Sequence, residues 1–149
     1  MGLKANFSNS DLKNYHKKIE QDIFNKAIRG YKYLGEAFVT HAKNNVGFMD
    51  QTGNLRSSIG YVLFVNGQVR EEAYTLHKKG HEGLKEGPKI AKEIASTLRS
   101  NNIVLVFTAG MNYALYVESK GFNVLTATEH ETKLHALSMF RNFMRDPKM

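Results

Sequence analysis

Asp50-Gln51-Thr52-Gly53-Asn54-Leu55-Arg56-Ser57-Ser58-Ile59-Gly60-Tyr61-Val62-Leu63-Phe64-Val65 decides how this chain folds. Its first half is polar and broken by Gly53, so it reads as a turn. From Ile59 onward the residues alternate. Ile59, Tyr61, Leu63 and Val65 share one side, and Gly60, Val62 and Phe64 the other. Both sides are largely apolar, which predicts a strand covered on both faces. Asn66-Gly67 ends it with the strongest two-residue hairpin signal, because a type I′ turn needs positive φ at both positions. The return strand, Gln68 to Leu76, carries Arg70, Glu71 and Glu72 and reads as an edge strand or one lifted off the body.

On the N-terminal side, residues 11–45 read as one long helix. Leu12, Tyr15, Ile19, Ile23, Ala27, Tyr31, Leu34, Phe38 and Ala42 recur at spacings of three and four and draw a single apolar stripe. Ser8 is placed to cap it, with Asp11 as the partner in a capping box. At 1.5 Å per residue such a helix is about 50 Å long, more than the width of a domain this size. It must therefore bend, with Gly30 and Gly35 as candidate sites, or project toward a partner.

On the C-terminal side, residues 76–87 contain Gly80, Gly83 and Gly87 and read as a flexible connector. Pro88 suits the first position of a following helix, with Gly87 as its cap. Asn101-Asn102 ends that helix. Ile103 to Thr108 is a continuous apolar run and predicts a central strand. Tyr113 to Glu118 predicts a helical turn, and Phe122 to Thr126 a short strand. Thr128-Glu129-His130-Glu131 reads as a capping box that opens a last helix, with Leu134, Leu137, Phe140 and Met144 on one face and Asp146-Pro147 at its end. The expected fold class is α+β: a long N-terminal helix, a small mostly antiparallel sheet with a β-hairpin, and a C-terminal helix packed on the sheet. Residues 1–149 make a single domain, with 66–87 as a projecting hairpin and loop and 88–100 as an inserted helix.

Composition narrows the function classes. The 149 residues hold 21 Lys and Arg against 14 Asp and Glu, a net charge of +7, and no cysteine. Disulfide frameworks, thiolate metal sites and cysteine nucleophiles are excluded. No apolar run approaches the roughly 18 residues of a membrane span. Residues 1–14 lack the apolar core of a signal peptide, so an intracellular origin is the expectation. The positive charge would suit nucleic acid or an acidic partner, although the basic residues are scattered.

Candidate chemistry is sparse. His77 and His81 lie four apart, but Gly80 between them favours a loop over a metal site. Glu129, His130, Glu131 and His135 cluster at a helix start, where negative charge is favoured by the dipole alone. Ser57-Ser58 lacks the Gly-x-Ser-x-Gly elbow of a serine nucleophile. Gly80, Gly83 and Gly87 do not end in the Gly-Lys-Ser/Thr of a phosphate loop. Tyr113 and Tyr116 share a helix face, which fits core packing. A sharper reading pairs Glu118 with Arg56, locking the turn to this segment. The chain is expected to be neither an enzyme nor a holder of any cofactor or metal.

Two segments together suggest a family. Asp50-Gln51-Thr52-Gly53-Asn54-Leu55-Arg56-Ser57-Ser58-Ile59 resembles the Thr-Gly-x-Leu-Arg-x-Ser-Ile segment of the head–tail joining, or tail-completion, proteins of the bacteriophage neck. Ala109-Gly110-Met111-Asn112-Tyr113-Ala114-Leu115-Tyr116-Val117-Glu118-Ser119-Lys120-Gly121 is similar to that family's Tyr-Ala-x-Tyr-Val-Glu-x-Gly segment. Residues 76–102 are longer than the family pattern, and the Pro-Phe that often follows Glu-x-Gly is missing. The resemblance implies a virion structural protein. Its subunits would form a homo-oligomeric ring between the portal or adaptor protein and the tail tube or tail terminator protein, around the packaged DNA and away from any membrane. Thr52, Gly53, Leu55, Arg56, Asn66, Gly67, Tyr113, Tyr116 and Glu118 become its structural and interface candidates, with no catalytic residue. The alternatives are a free-standing basic nucleic-acid-binding module and a small hydrolase built on His130, His135 and Glu118.

Overall fold

The computed structural model describes residues 6–98, 102–146 and 148. Helix α1 runs without interruption over Asn9–Asn44, and the expected capping box is in place. Ser8 Oγ accepts from the Asp11 N–H, and the Asp11 carboxylate accepts from the Ser8 N–H at 2.8 Å. After a loop come the single turn α2, Asn54–Ser57, and strand β1, Ile59–Val65. The hairpin turns at Asn66 and Gly67 with φ of +53° and +79°, as a type I′ turn requires. Strand β2 is Gln68–Ala73, helix α3 His81–Leu98, strand β3 Ile103–Ala109, helix α4 Ala114–Ser119 and helix α5 Thr126–Arg145.

The three strands form an antiparallel sheet in the order β2-β1-β3. Helix α1 covers one face, where Phe38 meets Phe107 edge-on at 5.6 Å and the Tyr61 hydroxyl donates to Glu36 Oε1. Helix α3 covers the other, and Ala91 packs with Val62, Phe64 and Val106. Helix α5 lies beside α1 on the first face. Tyr31 and Tyr33 of α1 meet Phe140 and Phe143 of α5, and Gly30 lets the two helices approach, since a Cβ there would sit 2.7 Å from the Phe140 ring. Gly35 does the same for the ring of Tyr61, at 2.8 Å. The α+β reading, with its long first helix, hairpin and C-terminal helix packed on the sheet, describes the molecule.

The long helix continues past the core. Its stripe is buried from Leu34 to Ala42, whereas every residue from 6 to 25 is exposed. About 25 Å of helix, at 1.5 Å per residue, therefore stands clear of the core.

Five readings are corrected. First, the segment 80–87 is no flexible connector, and the helix expected from Pro88 begins at His81. The glycines are close-contact positions. Gly83 sits against the Asn54 carbonyl and Gly87 against Ser58, so that a Cβ would meet their oxygens at 1.8 and 2.7 Å. Pro88 is buried inside α3. Helix α3 is described to Leu98, and of the expected stop at Asn101-Asn102 the first residue lies outside the described residues. Second, β1 is the central strand and β3 an edge strand. The apolar run of β3 answers to the helices on its two faces, not to strands on its two sides. Third, Phe122 to Thr126 forms no strand. Fourth, α5 starts at Thr126, ahead of the expected box at Thr128, whose side chain is buried and hydrogen-bonded to His41 Nδ1 at 2.9 Å. Fifth, the inner face of α5 includes Phe140 and Phe143, while Leu134 and Leu137 are 58% and 61% exposed.

Candidate functional site

The turn before β1 is built by one carboxylate. Asp50 Oδ1 accepts from the Gly53 N–H at 2.9 Å and Oδ2 from the Arg56 N–H at 3.1 Å, which satisfies donors at the start of α2. Thr52 Oγ1 accepts from the Asn54 N–H at 3.3 Å. Gly53 takes φ +84° with the His77 carbonyl against it, so both its conformation and its space exclude a side chain. Thr52 and Gly53 thus shape the turn that leads through α2 into β1. Ser57 is buried and bonds the backbone of His77 in both directions, at 2.8 and 3.3 Å, a structural use of the hydroxyl.

Leu55 and Ile59 lie in a buried cluster with Ala42, Met111 and Val124. Ala114 and Val117 of α4 pack against it. The two segments 50–59 and 109–121, distant in sequence, therefore meet. Tyr113 lies at the mouth of a cleft of about 390 Å³ with Met49, Asp50, Thr52 and Leu55. Its hydroxyl is pushed up by burial and by the Asp50 charge, with the Thr52 bond opposing. Tyr116 is exposed, with the Lys120 ammonium 5.3 Å from its ring.

Glu118 does not pair with Arg56. Its Oε1 accepts from the backbone N–H groups of Val124, Leu125 and Thr126, at 3.3, 2.9 and 2.7 Å, and from the Thr126 hydroxyl at 2.6 Å. Those donors mark the start of α5, so Glu118 acts as the cap of that helix from outside it. Burial pulls its pKa upward, but the bonds from Thr126, Leu125 and Val124 outweigh this and hold it below the ordinary value. Asn123 Oδ1 adds a bond from the Ala127 N–H. Neither cap has a spacing rule within the helix it serves, which is why the sequence pattern missed both.

Arg56 has a different neighbour. Among the described residues its Nε is buried without a hydrogen-bond partner. Lys43 stands near it and donates to Thr75 Oγ1 at 2.6 Å; burial first, and the Arg56 charge second, push the Lys43 ammonium below its usual value.

The residues of the hydrolase reading are not brought together. Glu118 is committed to α5, His130 is exposed, and His135 sits on the surface 3.3 Å from Glu131. A cleft of about 420 Å³ between α1 and α5 holds His41, Glu131 and His135, but His41 is turned to Thr128. Among the described residues no three His, Asp or Glu side chains are grouped to hold a metal ion, and no helix is long and apolar enough to cross a membrane.

The exposed surface also carries large apolar side chains. Leu12, Tyr15, Ile19 and Ile23 continue the α1 stripe into solvent, with Tyr15 63% and Ile23 56% exposed. A second exposed group, Met49, Leu115 and Tyr116, borders the turn and α4, with Leu115 79% exposed. The hairpin tip, Asn66 and Gly67, is exposed, and Asn66 faces Gln21, Phe24 and Asn25 of α1 across an open cleft. No family model matches this chain, and neither a curated protein nor a solved structure matches it.

Proposed function

We propose that this chain is a structural subunit of the neck of a tailed bacteriophage. In this reading it forms a ring that joins the portal or adaptor to the tail tube or tail terminator and surrounds the DNA channel. The observation that carries the reading is the uncovered stripe on the projecting half of α1. Isolated apolar side chains on a surface need no explanation, but a stripe at helical spacing that leaves the core and continues for three turns is an interaction surface. Further support comes from the contact between segments 50–59 and 109–121, the two that carry the family resemblance. The net charge of +7 suits a subunit beside DNA or an acidic portal.

The test is assembly. Electron microscopy of the purified protein and of virions should show a ring containing it. Replacing Ile19 and Ile23 together by Glu should abolish the ring while moving folding stability by no more than about 0.5 kcal/mol, because both side chains are exposed in the free subunit. A ring that survives the double substitution would remove the stripe from the interface. Virions without the protein would defeat the reading as a whole.

A further inference from the structure

Strand β3 has a partner on one side only. The Asn66 N–H bonds the Asn102 carbonyl, and the Gly110 N–H bonds that of Ser58. With the β1–β3 register, this makes Val104, Val106 and Thr108 the positions hydrogen-bonded to β1. Ile103, Leu105, Phe107 and Ala109 therefore turn their N–H and C=O groups to the open edge, and among the described residues no hydrogen bond reaches those of Leu105 and Phe107. The other edge is guarded. Strand β2 carries Arg70, Glu71 and Glu72, and its register with β1 shifts at a bulge between Leu63 and Phe64. Strand β3 reads Ile-Val-Leu-Val-Phe-Thr-Ala, with no charge, no proline and an unbroken register. Beside its edge, Phe107 and the first turns of α5 (Leu125, Thr128, Glu129, Thr132, Lys133) border a cleft of about 300 Å³.

We infer that β3 receives strand β2 of a second copy of this chain, so that the sheet continues from subunit to subunit. This rests on the ring reading and names its interface. Three observations select the occupant. The two open edges of one sheet are of similar length, six and seven residues, and joining unlike edges is the head-to-tail contact that closes a ring. Glu71 lies on the α1 face of the sheet, bonded to Lys32 at 2.5 Å, so an incoming β2 would set that ion pair beside the Glu129–Lys133 pair, 2.6 Å apart, that lines the cleft at α5. Pairing β3 with β3 about a two-fold axis would instead put both α5 helices over one seam. Strands β2 and β3 both run antiparallel to β1, so in a ring of like-oriented subunits the new pair is parallel.

The chain has no cysteine, which makes a cross-linking test clean. The variant L105C/E71C is assembled, shown to be oligomeric by native mass spectrometry, checked for native circular dichroism and treated with a short bifunctional thiol reagent. A ladder of covalent multimers is expected, with loss of the ladder in each single variant. An assembled ring that yields no ladder would overturn the strand interface and leave the ring reading standing. Dimers from L105C alone would overturn it in favour of two-fold pairing. A protein that stays monomeric at every concentration, and is absent from virions, would overturn the ring reading and the strand interface with it.

Discussion

Replacing Glu118 by alanine removes the acceptor on which the start of α5 depends. One carboxylate oxygen takes four donors there, three from the backbone and one from the Thr126 hydroxyl. Loss of a helix cap costs about 1 kcal/mol. Loss of an anion at the positive end of the helix dipole adds about 0.3 kcal/mol, the low end of its range, because solvent reaches the carboxylate. The Ala variant should therefore be less stable by about 1–1.5 kcal/mol at pH 7, a fall in Tm of roughly 3–5 °C for a domain of this size. The pH dependence fixes the cause. The folded pKa is depressed, so the stabilisation is complete above the unfolded value of about 4.3 and is lost as pH falls through the lower folded value. Urea unfolding of both proteins at falling pH should show the gap narrowing toward the acid end. Glu118→Gln, which keeps an acceptor without charge, should lie between them with a gap that does not vary with pH. An Ala variant within about 0.3 kcal/mol of wild type would refute the capping argument. So would a gap that does not narrow as pH falls. A double-mutant cycle with Arg56→Ala showing coupling above about 1 kcal/mol would restore the ion pair that the structure replaces.

Two further outcomes can be checked on the isolated chain. Gly83→Ala should destabilise by several kcal/mol in urea unfolding, although helix propensity alone favours alanine by about 1 kcal/mol, because the new Cβ would lie 1.8 Å from the Asn54 carbonyl oxygen. Tyr74, whose hydroxyl is 2.7 Å from Thr108 Oγ1, is pushed up to about 12 by burial, the Thr108 bond opposing. Its neutral form is the folded one, so its contribution is complete below pH 10 and lost as pH rises through the folded value. Tyr61 is raised further by burial and by its bond to Glu36, so ultraviolet titration should find more than one tyrosine ionising late, and Tyr74→Phe should remove one late-ionising group while leaving Tyr61.

Periodic signals in the sequence were reliable where a local rule operates. The α1 stripe, the Ser8–Asp11 box and the Asn66-Gly67 turn depend on residues within a few positions of one another, and all three are as read. Glycine was misread at 80, 83 and 87 because a flexible glycine and a close-contact glycine look alike in sequence. Only the carbonyls of Gly53, Asn54 and Ser58, far away in the chain, tell them apart. The edge position of β3 was hidden for a related reason. Hydrophobic content reports how many faces of a strand are covered, and says nothing of how many sides are paired. Glu118 escaped because its partners belong to the next element, six to eight residues on.

The same distinction bears on what the chain is for. A helix end that stands in water is better served by Lys, Glu or Ala than by Ile and Tyr, which have lower helix propensity and gain nothing from exposure. Yet Leu12, Tyr15, Ile19 and Ile23 keep the spacing of the buried positions from Leu34 to Ala42 with no break at the point where the core ends. Strand β3 keeps an apolar, uncharged edge where its sister edge has three charges and a bulge. Both features cost solubility in a lone subunit, and both become ordinary once a second copy covers them. Their positions differ, one on a projecting helix and one at a sheet edge. Head-to-tail repetition would cover both, so the arm and the edge support the proposed ring by separate physical routes.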